Sequence, residues 1–168
     1  MKLIESDSRL SEVCRAVEVH VRNVSDLATL ELSVVLLADF DSLPGAEFRG
    51  IRLSPTAYQP EERRILVNCA RFFSLPRDVS EAVLGHEIGH AVCHRDSVMQ
   101  REPRYRHLSE CIVADLLACK WSFFEGLRRE RLESNGPRYC EILKLWPNKG
   151  EFVRSMTIWC QQRLAGIK

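Results

Sequence analysis

The chain has 168 residues, 45% of them hydrophobic, which predicts one domain over residues 1–168 with a hydrophobic core. Its 24 basic and 23 acidic residues nearly cancel, so overall charge does not indicate a nucleic-acid partner. The longest apolar run, at 34–38, is too short to cross a membrane, and no charged-then-apolar leader is recognisable, so we expect a cytoplasmic protein. The seven cysteines are typical of reduced thiols in such a protein.

The N-terminal half predicts one helix followed by a small sheet. Residues 8–22 place Leu10, Val13 and Val17 on one helical stripe, which is typical of an amphipathic helix. Short apolar or alternating runs at 32–37, 50–53 and 64–68 then predict three strands. The sequence thus favours an α+β fold with a three-stranded mixed or antiparallel sheet.

The next predicted helix, at 79–94, carries the main chemical motif of the chain. Asp78 and Glu81 form a capping-box pattern at its start, with Asp78 as the N-cap. Within it lies His86-Glu87-Ile88-Gly89-His90. Positions four apart share a helix face, so both imidazoles can bind one metal ion, and Glu87 is placed to act as a general base. A chance match is the alternative, but a largely apolar helix is the context that the motif requires.

A further helix, predicted at 108–121, has to supply a third ligand, because hydrolytic zinc sites usually have three protein ligands and one open position. Its Ala114-Asp115-Leu116-Leu117-Ala118, together with the earlier motif, resembles the gluzincin-type metallopeptidases and, among them, the ImmA/IrrE-like family. In that family the second helix carries Glu-x-x-Ala-Asp. Its Glu binds zinc and its Asp orients a zinc-bound histidine.

The resemblance covers roughly residues 30–120 and implies a minimal zincin-like fold with Zn²⁺ as cofactor. It implies that His86 and His90 bind the metal, that Glu87 is catalytic and that Asp115 supports a ligating histidine. The implied activity is peptide-bond hydrolysis. Its implied substrate is a helix-turn-helix repressor, often in the control of DNA damage responses or mobile elements.

The chain departs from the family pattern at the third ligand, where the register with Ala114-Asp115 puts Cys111 instead of Glu. We favour Cys111 as the ligand because its spacing from Asp115 fixes the helix face. A small shift that lets Glu110 bind instead is the alternative. A thiolate donates more charge than a carboxylate, so we hypothesise that Cys111 holds the enzyme in a low-activity state until a partner rearranges the site.

A basic segment around Arg101, Arg104 and Arg106 is a candidate surface for an anionic ligand, with Tyr105 and Trp121 as possible stacking groups. For Trp121 we favour the alternative that it packs in the core. Interspersed acidic residues make a solvated mixed-charge face the default interpretation. Similarity to CapP-like regulatory proteases of bacterial anti-phage operons implies activation by single-stranded DNA and would give the arginines a role. Tyr105 could alternatively stabilise an oxyanion, or simply lie on a surface loop.

The second ligand helix is predicted to end near Arg131, before the Asn-Gly-Pro of 135–137. The C-terminal third then predicts two packing helices, at 138–145 and 151–164. We find no catalytic motif there. Two other classes of function remain open on the sequence alone: a non-catalytic zinc-stabilised binding module, and a DNA-sensing protein with a vestigial peptidase site.

Overall fold

The computed structural model describes residues 1–24, 27–41, 54–96 and 110–133. The described residues form four strands and five α-helices, which makes them α+β as predicted. The strands are β1 (Lys2–Glu5), β2 (Glu31–Leu37), β3 (Thr56–Gln59) and β4 (Arg64–Asn68). The helices are α1 (Ser11–His20), α2 (Cys69–Phe72), α3 (Arg77–Asp96), α4 (Glu110–Lys120) and α5 (Phe124–Glu133), with a 3-10 turn at Ser8–Leu10 before α1.

Several predictions fall outside these residues: the strand at 50–53, the helix end at 135–137 and the two helices at 138–145 and 151–164. Within the described ranges we find no helix with the length and hydropathy that a membrane span requires. The five cysteines in these ranges are all free thiols.

The sheet is mixed, with the strand order β1-β2-β4-β3. Strands β1, β2 and β4 run parallel, and β3 returns antiparallel to β4 at one edge. The predicted strands at 32–37 and 64–68 are confirmed, whereas the prediction of three strands is wrong, because β1 and β3 bring the described sheet to four. The sequence interpretation treated Pro55 as a stop. In the structure Pro55 accepts a hydrogen bond from the Asn68 amide, and β3 starts directly after it.

The predicted N-terminal helix is confirmed, and it covers the sheet with the stripe expected from its periodicity. Leu10, Val17 and Val21 are almost completely buried, and Val13 packs at the border of the core. The Asp7 carboxylate accepts a hydrogen bond from the Arg9 amide and so caps the 3-10 turn that leads into α1.

Helix α3 is the longest described element, and most of its residues are buried between the sheet, α4 and α5. It starts earlier than predicted, so the assignment of Asp78 as N-cap is wrong: Asp78 lies inside the first turn. The Ser80 amide donates to the carbonyl of Pro76 at 2.9 Å, so the helical hydrogen bonding already begins at Pro76. The Asp78 carboxylate instead accepts a hydrogen bond from Arg129 at 2.9 Å.

The predicted second ligand helix is present as α4, but its predicted continuation to Arg131 is wrong. The chain breaks at Ser122, whose φ of 77° is left-handed, and α5 starts at Phe124. The Phe123 amide donates to the Ala118 carbonyl and the Ser122 amide to that of Cys119, both at 3.0 Å, which is the Schellman pattern of a helix end. Serine stands where glycine is usual, so the sequence carried no clear stop signal.

Helices α3 and α4 approach each other closely at Gly89. An added Cβ at this position would lie 2.6 Å from the backbone oxygen and 2.7 Å from the Cα of Ala114. Only a residue without a side chain fits such a backbone approach. Gly89 therefore sets the distance between the helix that carries both histidines and the helix that carries Cys111.

We predict that Gly89→Ala lowers the free energy of unfolding by about 1–3 kcal/mol, because the new methyl group overpacks against the α4 backbone. It should also weaken metal binding, because α4 must move away from α3. Chemical denaturation and a chelator competition assay measure the two effects. Gly85→Ala is the control, since its methyl group would overpack against the Phe123 ring and not against the α4 backbone. If Gly89→Ala binds metal as tightly as Gly85→Ala, the role of Gly89 in spacing the ligands is wrong.

Candidate metal centre

Two imidazoles on α3 converge on one point. His86 and His90 are one helical turn apart, and their Nε2 atoms are 3.1 Å from each other. Their rings meet edge to face with centroids 4.7 Å apart. His86 is 9% exposed, so this pair sits at the border between the core and the solvent. The spacing expected from a helix thus brings both predicted histidines to one point.

Cys111, in the first turn of α4, completes the cluster. One ligand atom from each of His86, His90 and Cys111 lies within 4.8 Å of the others, an arrangement that could hold a metal ion. Cys111 is exposed to solvent, whereas His86 is buried. The cluster therefore has a deep side made by the helix α3 and an accessible side at the start of α4.

A carboxylate from α4 stands behind each imidazole. Asp115 Oδ1 lies 2.6 Å from His86 Nδ1, and Glu110 Oε1 lies 2.5 Å from His90 Nδ1. A carboxylate only accepts, so each Nδ1 carries the donated hydrogen and each Nε2 remains as the possible ligand atom. Metal-binding histidines usually have such a partner, which fixes their tautomer and raises their basicity.

Glu110 occupies a supporting position and does not join the cluster. Its Oε1 atom contacts both His90 Nδ1 and His94 Nε2, the latter at 3.1 Å, and Nδ1 is the ring nitrogen that faces away from the cluster. The alternative assignment of Glu110 as the third ligand is therefore not favoured in this arrangement. His94, one turn beyond His90, lies outside the cluster as expected and holds the far side of Glu110.

The charges of the cluster favour a thiolate at Cys111. Hydrogen bonds with His86 and His90 lower the pKa of the Cys111 thiol to about 6. Burial alone would lower the pKa of His86, but the Asp115 carboxylate and Cys111 outweigh burial and raise this pKa to about 10. The thiolate is the form of cysteine that binds metal ions and reacts with electrophiles.

Glu87 lies next to the cluster and is held by a partner that the sequence did not indicate. Its side chain is buried, with 5% of the residue exposed, and its Oε1 accepts a hydrogen bond from the Thr56 hydroxyl at 2.9 Å. Thr56 is the first residue of β3 and is itself buried. No pattern in the sequence pointed to it, because a single threonine after a proline has neither motif nor periodicity.

The predicted nucleic-acid-binding residues Arg101, Arg104 and Arg106 lie outside the described residues, as does Tyr105. Trp121 is described, and its proposed stacking role is wrong: it is 3% exposed and packs in the core. An indole buried there presents no face to an external base. The packing role favoured for Trp121 is confirmed, and its sequence proximity to arginines carried no information about burial.

Comparison of this chain with protein-family models, with curated proteins and with solved structures finds no match. The chemistry of the cluster therefore has to be argued from its own residues.

We predict that iodoacetamide modifies Cys111 with a pH midpoint near 6, because reactivity follows the thiolate and the pKa of Cys111 is lowered. Burial raises the pKa of Cys14 and of Cys93 to about 12, so both serve as internal controls that stay unmodified at neutral pH. Mass spectrometry of a digest gives all three rates.

Excess Zn²⁺ should protect Cys111, because a metal-bound thiolate is no longer free to attack. His86→Ala should abolish this protection. Two results would contradict a metal-binding cluster at Cys111. One is a pH midpoint of modification near that of an ordinary thiol, and the other is modification of Cys111 at the same rate with and without zinc.

Proposed function

We propose that this chain is a zinc-dependent endopeptidase with a minimal zincin-like fold. The observation that carries the proposal is the convergence of His86, His90 and Cys111 beside Glu87, which β3 holds through Thr56. The sheet, the motif helix and the following helix supply these groups in the same order as the resemblance to the ImmA/IrrE-like family implies. This agreement supports the proposal.

The donor set fits zinc. Two imidazole nitrogens and a thiolate are ligands that zinc prefers, and carboxylates behind both imidazoles are the usual second layer of such sites. Three protein ligands leave a fourth coordination position for water or substrate, which is typical of catalytic and not of structural zinc. The exposure of Cys111 gives a substrate access to this side of the cluster.

When bound, the zinc ion supplies Lewis acidity that lowers the pKa of a water molecule to roughly 7 and polarises the scissile carbonyl. Glu87 accepts the proton of the attacking water and later passes it to the leaving amine. The Thr56 hydroxyl occupies Oε1 of Glu87, so Oε2 is the oxygen that takes up the proton. Burial of both residues keeps this carboxylate in one orientation.

Among the described strands, β3 pairs only with β4, and its outer edge suits an extended peptide. The Asn68 amide bonds to the Pro55 carbonyl, so the alternation of an antiparallel ladder turns the backbone groups of Thr56 and Tyr58 away from β4. Pairing with this edge would hold a substrate by its main chain next to Glu87. The hydroxyl of Ser54 already bonds to the Thr56 carbonyl at 2.6 Å, which leaves the groups of Tyr58 as the main attachment point.

The resemblance extends the proposal to a regulatory role. It favours a helix-turn-helix repressor as substrate and stimulation by single-stranded DNA or DNA damage, as in bacterial anti-phage operons. Incubation of the zinc-loaded protein with a repressor encoded beside it, with and without single-stranded DNA, tests both parts.

We predict that Glu87→Gln lowers the hydrolysis rate by about 10²–10⁴-fold while the zinc content stays the same, because only the proton acceptor is lost. Zinc analysis and a peptide cleavage assay give the two values. If the metal-replete variant cleaves like the wild type, the peptidase mechanism is excluded and a zinc-stabilised binding module takes its place. Single-strand binding in the absence of any cleaved protein would instead favour a DNA sensor.

Thr56→Val should lower kcat by about tenfold, because Glu87 loses the hydrogen bond that orients it. Thr56→Ser retains the hydroxyl and is the matched control, so its kcat should stay near that of the wild type. Equal loss in both variants would show that the methyl group and not the hydrogen bond matters.

The thiolate of Cys111 leads to a separate proposal, that it restrains the enzyme in its resting state. A thiolate neutralises more of the zinc charge than a carboxylate and so weakens its Lewis acidity. Cys111→Glu should therefore cleave substrate without an activator, whereas wild type should not. Cys111→Ser tests removal of the thiolate alone. If both variants are as inert as wild type, or more inert, the restraining role is wrong.

A further inference from the structure

A cavity of about 380 Å³ lies beside the metal centre, between the start of β2, the β3–β4 hairpin and the last turn of α3. This volume falls in the range of roughly 300–1,000 Å³ that is usual for ligand pockets. Its charged and polar wall is formed by Glu31, Tyr58, Arg63, His94 and Arg95. None of these residues belongs to the cluster of His86, His90 and Cys111.

Among the charged residues that line the cavity, Arg63 and Arg95 are cationic and Glu31 is anionic. Arg95 pairs with Asp96, Glu31 pairs with Lys2, and the lining residue His94 contacts Glu110. For Arg63, by contrast, no ion pair is found within the described ranges. A guanidinium on a cavity wall can bind an anion, and a carboxylate matches its paired donors.

Arg63 is held in this place at a conformational cost. Its φ of 49° is in the left-handed region, where residues with a Cβ are unfavourable and glycine is usual. The hairpin keeps this conformation through hydrogen bonds from the Arg63 amide to Pro60 and from the Ser33 amide to Arg63. Strained residues are enriched at binding sites, so an arginine at a glycine-type position favours a role for its side chain.

The cavity is connected to the metal centre through His94 and Glu110. The rings of Tyr58 and His94 lie 5.8 Å apart, and His94 contacts the same Glu110 oxygen that supports His90. On β3, Tyr58 is two residues beyond Thr56 and on the same face, because side chains alternate along a strand. If a peptide paired with β3, the side chain that enters the cavity would thus lie about two residues from the scissile bond, which is next to Glu87.

We propose that this cavity, lined by Tyr58, Arg63, His94 and Arg95, is a specificity pocket for an acidic side chain of the peptide substrate. The inference rests on the proposed peptidase function for its substrate, but the binding of an acidic peptide can be measured without hydrolysis. The guanidinium of Arg63 donates hydrogen bonds to the substrate carboxylate, and the phenol of Tyr58 provides a further donor.

The experiment uses pairs of peptides that differ only by Glu or Gln at one position near the cleavage site. Zinc-loaded Glu87→Gln protein binds the labelled peptides without cleaving them, and fluorescence anisotropy gives each Kd. We expect one position at which the Glu peptide binds at least tenfold more tightly than the Gln peptide, because charge-assisted hydrogen bonds are stronger than neutral ones. In active protein the same position should show a Glu preference in kcat/KM.

Arg63→Gly, introduced into the same background, should abolish the difference between the Glu and Gln peptides. Its Tm should equal or exceed that of the parent, because glycine relieves the left-handed backbone. Arg64→Gln is the matched control. Arg64 is adjacent in sequence but bonds to Gln59 and Glu62 and does not line the cavity, so the preference should persist.

Equal binding of the Glu and Gln peptides at every position, or a Glu preference that survives Arg63→Gly, would overturn the pocket. The pocket would also be overturned if inorganic phosphate binds while the Glu and Gln peptides bind equally, since the cavity would then bind a free anion and not a peptide side chain. If neither the wild type with single-stranded DNA nor Cys111→Glu alone cleaves any peptide, but the binding preference depends on Arg63, the peptidase proposal fails and the pocket stands.

Discussion

The close approach of α3 and α4 at Gly89 is the contact on which the candidate centre depends. The backbone of Ala114 occupies the space that a side chain at Gly89 would need. This approach brings Cys111 within ligand distance of two imidazoles that one turn of α3 already aligns. A larger residue at Gly89 would push α4 away from α3 and so separate the ligands, since packed interiors do not absorb added volume.

Helix α4 contributes three groups to the centre in one and a half turns. Glu110 supports His90, Cys111 joins the cluster and Asp115 supports His86. The positions of all three depend on the same rotation of α4 about its axis. The register that places Cys111 in the cluster therefore also places both carboxylates behind the imidazoles. With Glu110 engaged by His90 and His94, Cys111 is the group left to face the imidazoles.

Strand β3 is short, but it connects the chemistry of the centre with the proposed choice of substrate. Its first residue, Thr56, orients Glu87, and Tyr58 on the same face forms a wall of the cavity beside α3. Its outer edge is also where an extended peptide would pair. One strand of four residues thus contacts both Glu87, through Thr56, and the cavity, through Tyr58.

The sequence by itself determined the helix with its two histidines, the strands β2 and β4, and the spacing that pairs Cys111 with Asp115, because these features follow from local periodicity. It could not identify β3, Thr56 or the cavity around Arg63, since a four-residue strand after a proline has no periodic signal and is defined only by its pairing with β4. The end of α4 at Ser122 was missed for a related reason, as a left-handed serine is recognisable only from its hydrogen bonds. The register with Asp115 already favoured Cys111 over Glu110, but the contacts of Glu110 with His90 and His94 are visible only in the tertiary structure, because contacts between separate helices are not encoded in the spacing along either one.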